Sequence, residues 1–123
     1  MKMPAMGLYH MQINVNDLNK SLEFYTGFLG MKIAFWAEPM VFLTSENGND
    51  LLTLNPIERP VDTHSGGLQH FGFRVNTEKL EQVLLDAPKS GITILSTGSH
   101  GDVERYVYLE DPDGYTVELD AAE

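Results

Sequence analysis

Two histidines and one glutamate carry the chemistry that this sequence supports. His10 lies in Leu8-Tyr9-His10-Met11-Gln12-Ile13-Asn14-Val15-Asn16, and His70 holds the same place in Leu68-Gln69-His70-Phe71-Gly72-Phe73-Arg74-Val75-Asn76. Glu118 lies within Tyr115–Asp120, where alternation points Thr116, Glu118 and Asp120 one way and Tyr115, Val117 and Leu119 the other. A carboxylate inside an apolar strand is costly without a partner. Two neutral imidazoles and one carboxylate make a facial triad, which leaves positions open on an octahedral ion for substrate and O2 or water. Nitrogen and oxygen donors without sulfur suit Fe(II), Mn(II), Co(II), Ni(II) or Zn(II), and the residue types do not choose among them. Taken singly, either histidine reads more naturally as a hydrogen-bonded core or cleft residue. Their shared register, with Glu118 on the same inferred face, favours a metal site holding His10, His70 and Glu118.

The elements that must position these groups repeat. Strand Leu8–Val15 sets Tyr9, Met11, Ile13 and Val15 against His10, Gln12 and Asn14. Asn16-Asp17 offers an N-cap, and Leu18, Leu22, Tyr25 and Leu29 follow at helical spacing up to Gly30. Strands are expected at Lys32–Ala37, Val41–Thr44 and Asp50–Leu54, with Asn47-Gly48 as a hairpin turn. After Leu68–Asn76, Thr77 can cap a helix carrying Leu80, Val83 and Leu84, which Pro88 and Gly91 end. Strands follow at Thr93–Thr97, Arg105–Leu109 and Tyr115–Asp120, the last two joined by the turn Asp111-Pro112-Asp113-Gly114.

The chain therefore reads as α+β, with two βαβββ repeats forming a curved mixed sheet around a metal cleft. The repeats cover about 6–56 and 68–121, joined by a linker at about 57–67, within one domain over residues 1–123. Ile13, Val15, Phe71, Phe73, Val117 and Leu119 are expected to meet the helices, and His10, His70, Tyr108 and Glu118 to face the cleft. Counting from the turn glycines, the position matching Glu118 in the first repeat is Leu52, which cannot ligate. Three protein ligands are expected, not four.

Acidic residues outnumber basic ones 18 to 8, a formal charge of −10, which opposes nucleic acid and anionic membranes as partners. With no cysteine, a disulfide framework, a thiolate zinc site and a cysteine nucleophile are all excluded. The start, MKMPAMGLYH, lacks the apolar run of a signal peptide, and no segment is long enough to span a bilayer, so a cytoplasmic protein is expected.

The paired repeats, His10, His70 and Glu118, and the run Asn16-Asp17-Leu18 through Ser21-Leu22-Glu23-Phe24-Tyr25 to Leu29-Gly30 resemble the vicinal oxygen chelate superfamily. That group includes glyoxalase I, fosfomycin-resistance enzymes, bleomycin-binding proteins and extradiol ring-cleaving dioxygenases. Gly98-Ser99-His100, Val107-Tyr108, Asp111-Pro112, Gly114 and Glu118 follow the extradiol signature, with His100 its more discriminating element. The resemblance implies a homodimer acting on a small molecule, a catechol cleaved with Fe(II) and O2. It makes Glu118 a ligand and Tyr108 and His100 catalytic groups near the substrate. Tyr108 also reads as cleft packing and His100 as a solvated loop residue. Gln12, Asn14 and Arg74 share the inferred face as substrate contacts, with solvated or structural roles as the alternative. Of the adjacent Phe35 and Trp36, one can face the cleft.

One departure stands out. Two-domain extradiol enzymes carry a further acid–base histidine, and the corresponding region, Gly48–Leu54, has none. Asn49, Asp50 or His64 are the substitutes on offer, although His64 reads first as an exposed loop residue. The alternatives are epoxide opening as in fosfomycin resistance, thiol-adduct isomerisation as in glyoxalase I, and a non-catalytic bleomycin-binding protein drawing a basic drug to its acidic surface. Arg105 is the nearest basic residue for the first of these, and Leu52 stands against the second.

Overall fold

The alternation along the first strand becomes a burial pattern: Ile13 and Val15 are buried, while His10 and Gln12 are exposed. The computed structural model describes residues 1–101 and 104–122, with His100 and Glu104 described by backbone alone. The chain divides into two compact units, Met1–Val61 and Asp62–Glu123. The class is α+β, and each unit is one βαβββ repeat carrying a four-stranded mixed sheet.

In the first unit β1 (His10–Val15) pairs in parallel with β4 (Leu51–Pro56), followed outward by the antiparallel strands β3 (Met40–Thr44) and β2 (Lys32–Ala37). In the second, β5 (Phe71–Val75) pairs in parallel with β8 (Thr116–Ala122), followed by β7 (Glu104–Glu110) and β6 (Ile94–His100). The parallel pair needs a crossover, supplied by α1 (Leu18–Leu22) in one unit and α2 (Thr77–Lys89) in the other. The core of the second unit joins Leu80, Val83 and Ala87 of α2 to Val107, Leu109, Val117, Leu119 and Ala121.

Local chemistry accounts for the helix ends. Asp17 caps α1 by accepting from the Lys20 amide at 3.1 Å. In the second repeat the cap is Asn76, accepting from the Lys79 amide at 2.7 Å, and Thr77 is the first helical residue. The extra residue in the first repeat gives Asn16 another task. Its side chain donates to the Ile57 and Arg59 carbonyls and accepts from the Val61 amide, holding the connecting segment to its own unit.

The first helix departs from the expected Leu18, Leu22, Tyr25, Leu29 stripe. After one α turn it widens into a π-helix over Glu23–Phe28, and the buried residues are Ser21, Phe24 and Tyr25. The wider turn brings two adjacent aromatics inward, packed edge to face at 4.8 Å between ring centroids. Gly30, at φ 80°, then ends the segment.

Candidate functional site

In the second unit Gly72, Glu118, Tyr108 and Ser96 form one row across β5, β8, β7 and β6. Val107, Leu109, Val117 and Leu119, of opposite parity, are buried, so this row lies on the sheet face away from the core. The register depends on the turn between β7 and β8. Buried Asp111 accepts from the Asp113 and Tyr115 amides, both at 2.9 Å, and Gly114 takes φ 98°. Gly72 leaves no room beside it: an added Cβ would lie 2.6 Å from the Glu118 carbonyl oxygen and 2.9 Å from the Glu118 Cβ.

His70 stands just ahead of β5, with Nε2 3.0 Å from Glu118 Oε1. Its Nδ1 is hydrogen-bonded to Gln69 Oε1, so both ring nitrogens have side-chain partners. An imidazole nitrogen and a carboxylate oxygen are both metal-donor types, and at that separation they share either a proton or a metal ion. These donors therefore fit a divalent ion. The Tyr108 ring lies 5.1 Å from His70 and 5.3 Å from Tyr106. Desolvation pushes the Tyr108 hydroxyl above the ordinary phenol range. The Glu118 charge, Tyr106, Asp120 and a hydrogen bond to Glu118 add to the rise. Tyr108 is thus a protonated hydrogen-bond donor at neutral pH, not a base.

The first unit repeats this arrangement with different chemistry. Gln12, Thr53, Phe42 and Phe35 form the matching row across β1, β4, β3 and β2. His10 Nε2 lies 2.6 Å from Thr53 Oγ1, as His70 Nε2 lies beside Glu118, and Phe42 takes the place of Tyr108, 5.7 Å from His10. The register match of Glu118 is therefore Thr53, and Leu52 is a buried core residue of opposite parity. Counting from the turn glycines fails by one because β4 starts at Leu51, three residues after Gly48, whereas β8 starts at Thr116, two after Gly114. No carboxylate stands at the matched position either way. Counting strand parity from His10 and His70 would have found Thr53. Replacing buried Thr53 with the near-isosteric valine removes the His10 partner alone. The expected loss is about 1 kcal/mol in urea unfolding, with the lost hydrogen bond readable from the His10 ring nitrogen shifts.

The remaining predicted residues divide between the units. Gln12 is exposed on the His10 face, and Asn14 accepts from Asn55 Nδ2 at 3.0 Å. Arg74 is exposed and in register with Asp120. The His100 backbone pairs with Glu104 at the end of β6, and its side chain lies outside the described residues. The substitutes for a missing histidine have other tasks. Asp50 accepts from the Ser45 amide at 2.7 Å and the Ser45 hydroxyl at 2.5 Å, closing the β3–β4 turn. The Asn49 amide donates to Asn47, and His64 is exposed with its amide on Asp62. Arg105 forms an ion pair with Glu81 of α2, on the helix side of the sheet. Among the described residues of either unit, no three His, Asp or Glu side chains cluster as a metal site. Among them, too, no helix is long and apolar enough to cross a membrane.

The Glyoxalase/Bleomycin resistance protein/Dioxygenase superfamily profile matches residues 7–119, and the chain belongs to that superfamily. It is 31% identical over 114 residues to a catechol-2,3-dioxygenase of Bacillus subtilis, covering 88% of this chain but 39% of that protein. It is 26% identical over 112 residues to the glutathione transferase FosA of Serratia marcescens, covering 91% of this chain and 78% of that one. A glyoxalase/dioxygenase from Nostoc punctiforme superposes with a TM-score of 0.81 at 19% identity, over all of this chain and 98% of that one. The fosfomycin resistance protein FosX of Listeria monocytogenes gives 0.78 at 17% identity, over 98% and 96%. At such identities the structural likeness bears on the fold alone. Members of this superfamily are mostly enzymes, use divalent metals, bind small-molecule substrates and are commonly dimeric.

Proposed function

We propose that the chain is a metal-dependent enzyme that cleaves the ring of a small catecholic substrate with O2, using Fe(II). The observation that carries this reading is the His70–Glu118 pair, with Tyr108 in register with Glu118 and its ring beside His70. His70 and Glu118 would hold the ion, with His10 as the third ligand. A bound divalent metal supplies Lewis acidity that lowers the pKa of the substrate hydroxyls, and open positions for substrate and O2.

The protein's own groups do the rest. Tyr108, whose hydroxyl is kept neutral by desolvation and the Glu118 charge, donates a hydrogen bond to an ionised substrate oxygen. Gln69 holds the His70 ring through Nδ1, leaving Nε2 on the Glu118 side. Gln12, Asn14 and Arg74 contact the substrate, and His100 positions it or carries a proton. With Asp50 committed to the β3–β4 turn and His64 exposed, His100 is the histidine left for proton transfer. The working form is a cytoplasmic homodimer.

A second reading, metal-assisted addition of a thiol to an epoxide, draws on FosA, of which this chain spans 78%. The commitment of Arg105 to Glu81 weighs against it, since that cation faces the helix. A non-catalytic drug-binding protein has no need of the His70–Glu118 pair.

Anaerobic reconstitution with Fe(II), Mn(II) or Zn(II), followed by oxygen uptake on a catechol panel, tests the proposal. Uptake is expected with Fe(II). Its absence with every metal overturns ring cleavage. Glutathione consumption with fosfomycin in the Mn(II) form would then favour the second reading, and a protein that retains no metal would favour the third.

A further inference from the structure

The exposed apolar residues of β2 raise a question the metal site does not answer. Both faces of the strand reach solvent, with Phe35 at 49% and Trp36 at 46% exposure. The two have different neighbours. Trp36 is in register with buried Val41, whereas Phe35 is in register with Phe42, on the same face as Thr53 and Gln12. The Phe35 and Phe42 rings stack with centroids 4.4 Å apart and planes 17° apart, and Phe42 continues to His10 at 5.7 Å. An aromatic run thus starts at an exposed ring and ends on an imidazole proposed as a ligand.

We propose that Phe35 and Phe42 form a shelf that binds the planar ring of the substrate, with Phe35 setting the preference for aromatic over aliphatic vicinal diols. The inference rests on the proposed function for the diol itself. The shelf rests only on residues of the first unit. The repeat supports a division of labour. At the register of Phe42 the second unit carries Tyr108, and at that of Phe35 it carries Ser96, so the matching row there offers hydroxyls. At the same two positions the first unit offers two benzene rings without a polar atom. Offset stacking on such rings rewards a flat π-face and gives a saturated ring no comparable contact.

Trp36 is the only tryptophan in the chain and adjoins the shelf, so its emission reports occupancy. Catechol and trans-cyclohexane-1,2-diol are titrated anaerobically into metal-free and Fe(II)-loaded protein, for wild type, Phe35→Ala and Phe35→Leu. Leucine keeps apolar bulk and removes the ring, and unfolding curves show that each variant is folded. Both variants are expected to bind catechol about three- to tenfold more weakly, with affinity for the saturated diol changed by less than about twofold. Unchanged catechol affinity, or equal losses for both diols, overturns the shelf. So does a shift from dimer to monomer with the aromatic preference intact, which would make Phe35 a contact between copies of the chain. If wild type shows the preference yet takes up no oxygen with any catechol, ring cleavage fails and the shelf stands. Oxygen uptake without the preference gives the reverse.

Discussion

Replacing Gly72 with alanine should lower stability by about 2–4 kcal/mol and dislodge Glu118. The atoms a Cβ would meet, 2.6 and 2.9 Å away, are the carbonyl oxygen and Cβ of Glu118. Both are fixed by the β5–β8 ladder and cannot rotate aside. Relief requires that the two strands separate, which moves the carboxylate away from His70 Nε2. A fall of roughly 10 °C in the unfolding midpoint is expected for a chain of this size. Gly98 supplies the control. A Cβ there would meet the Tyr106 ring, which covers that glycine from the neighbouring strand, with its hydroxyl 2.5 Å away and Cζ 2.7 Å. A ring at the end of a side chain can swing away, so Gly98→Ala should cost about 1 kcal/mol or less. Equal effects at the two positions would mean that Gly72 is not a close-approach site.

The contrast between these glycines also marks what was legible in the sequence. Alternation placed Val117 and Leu119 inward and Glu118 outward, because strand parity is local and burial enforces it. The Asn47-Gly48 and Asp113-Gly114 turns were legible for the same reason, since positive φ at Gly48 and Gly114 is a local demand. Matching across the repeats was not. Thr53 and Leu52 differ by one residue of loop length, and in a strand one residue is the difference between the site face and the core. The π-helical turn at Glu23–Phe28 likewise escaped an α-helical count, because a wider turn changes which residues face inward. The shift of the second cap from Thr77 to Asn76 was within reach of the sequence, since Asn at N-cap is as good as Asp. Arg105 shows the limit of composition. Its charge was visible, but its commitment to α2 follows from the register of β7.

Replacing Glu118 with glutamine should abolish tight metal binding while leaving the fold in place. The substitution keeps the size of the side chain and removes its charge. Its position opposite Gly72 and Tyr108 is held by the backbone ladder, so the register should survive. Loss of an outer partner of a metal ligand alone costs 10- to 100-fold in affinity, so loss of the anionic ligand itself should cost roughly 100-fold or more. Metal content after anaerobic reconstitution and dialysis measures this directly, and unchanged content would remove Glu118 from the ligand set. A second readout needs no metal. The Glu118 charge favours the neutral phenol of Tyr108, so the Tyr108 pKa in the metal-free variant should fall toward the ordinary phenol value. The fall should be incomplete, because desolvation is the larger cause and the substitution leaves it in place. Ultraviolet titration against a Tyr108→Phe background isolates that hydroxyl. A fall in pKa with metal content unchanged would confirm the Tyr108–Glu118 contact and move the ion elsewhere. Loss of both would tie the phenol, the carboxylate and the ion to one site.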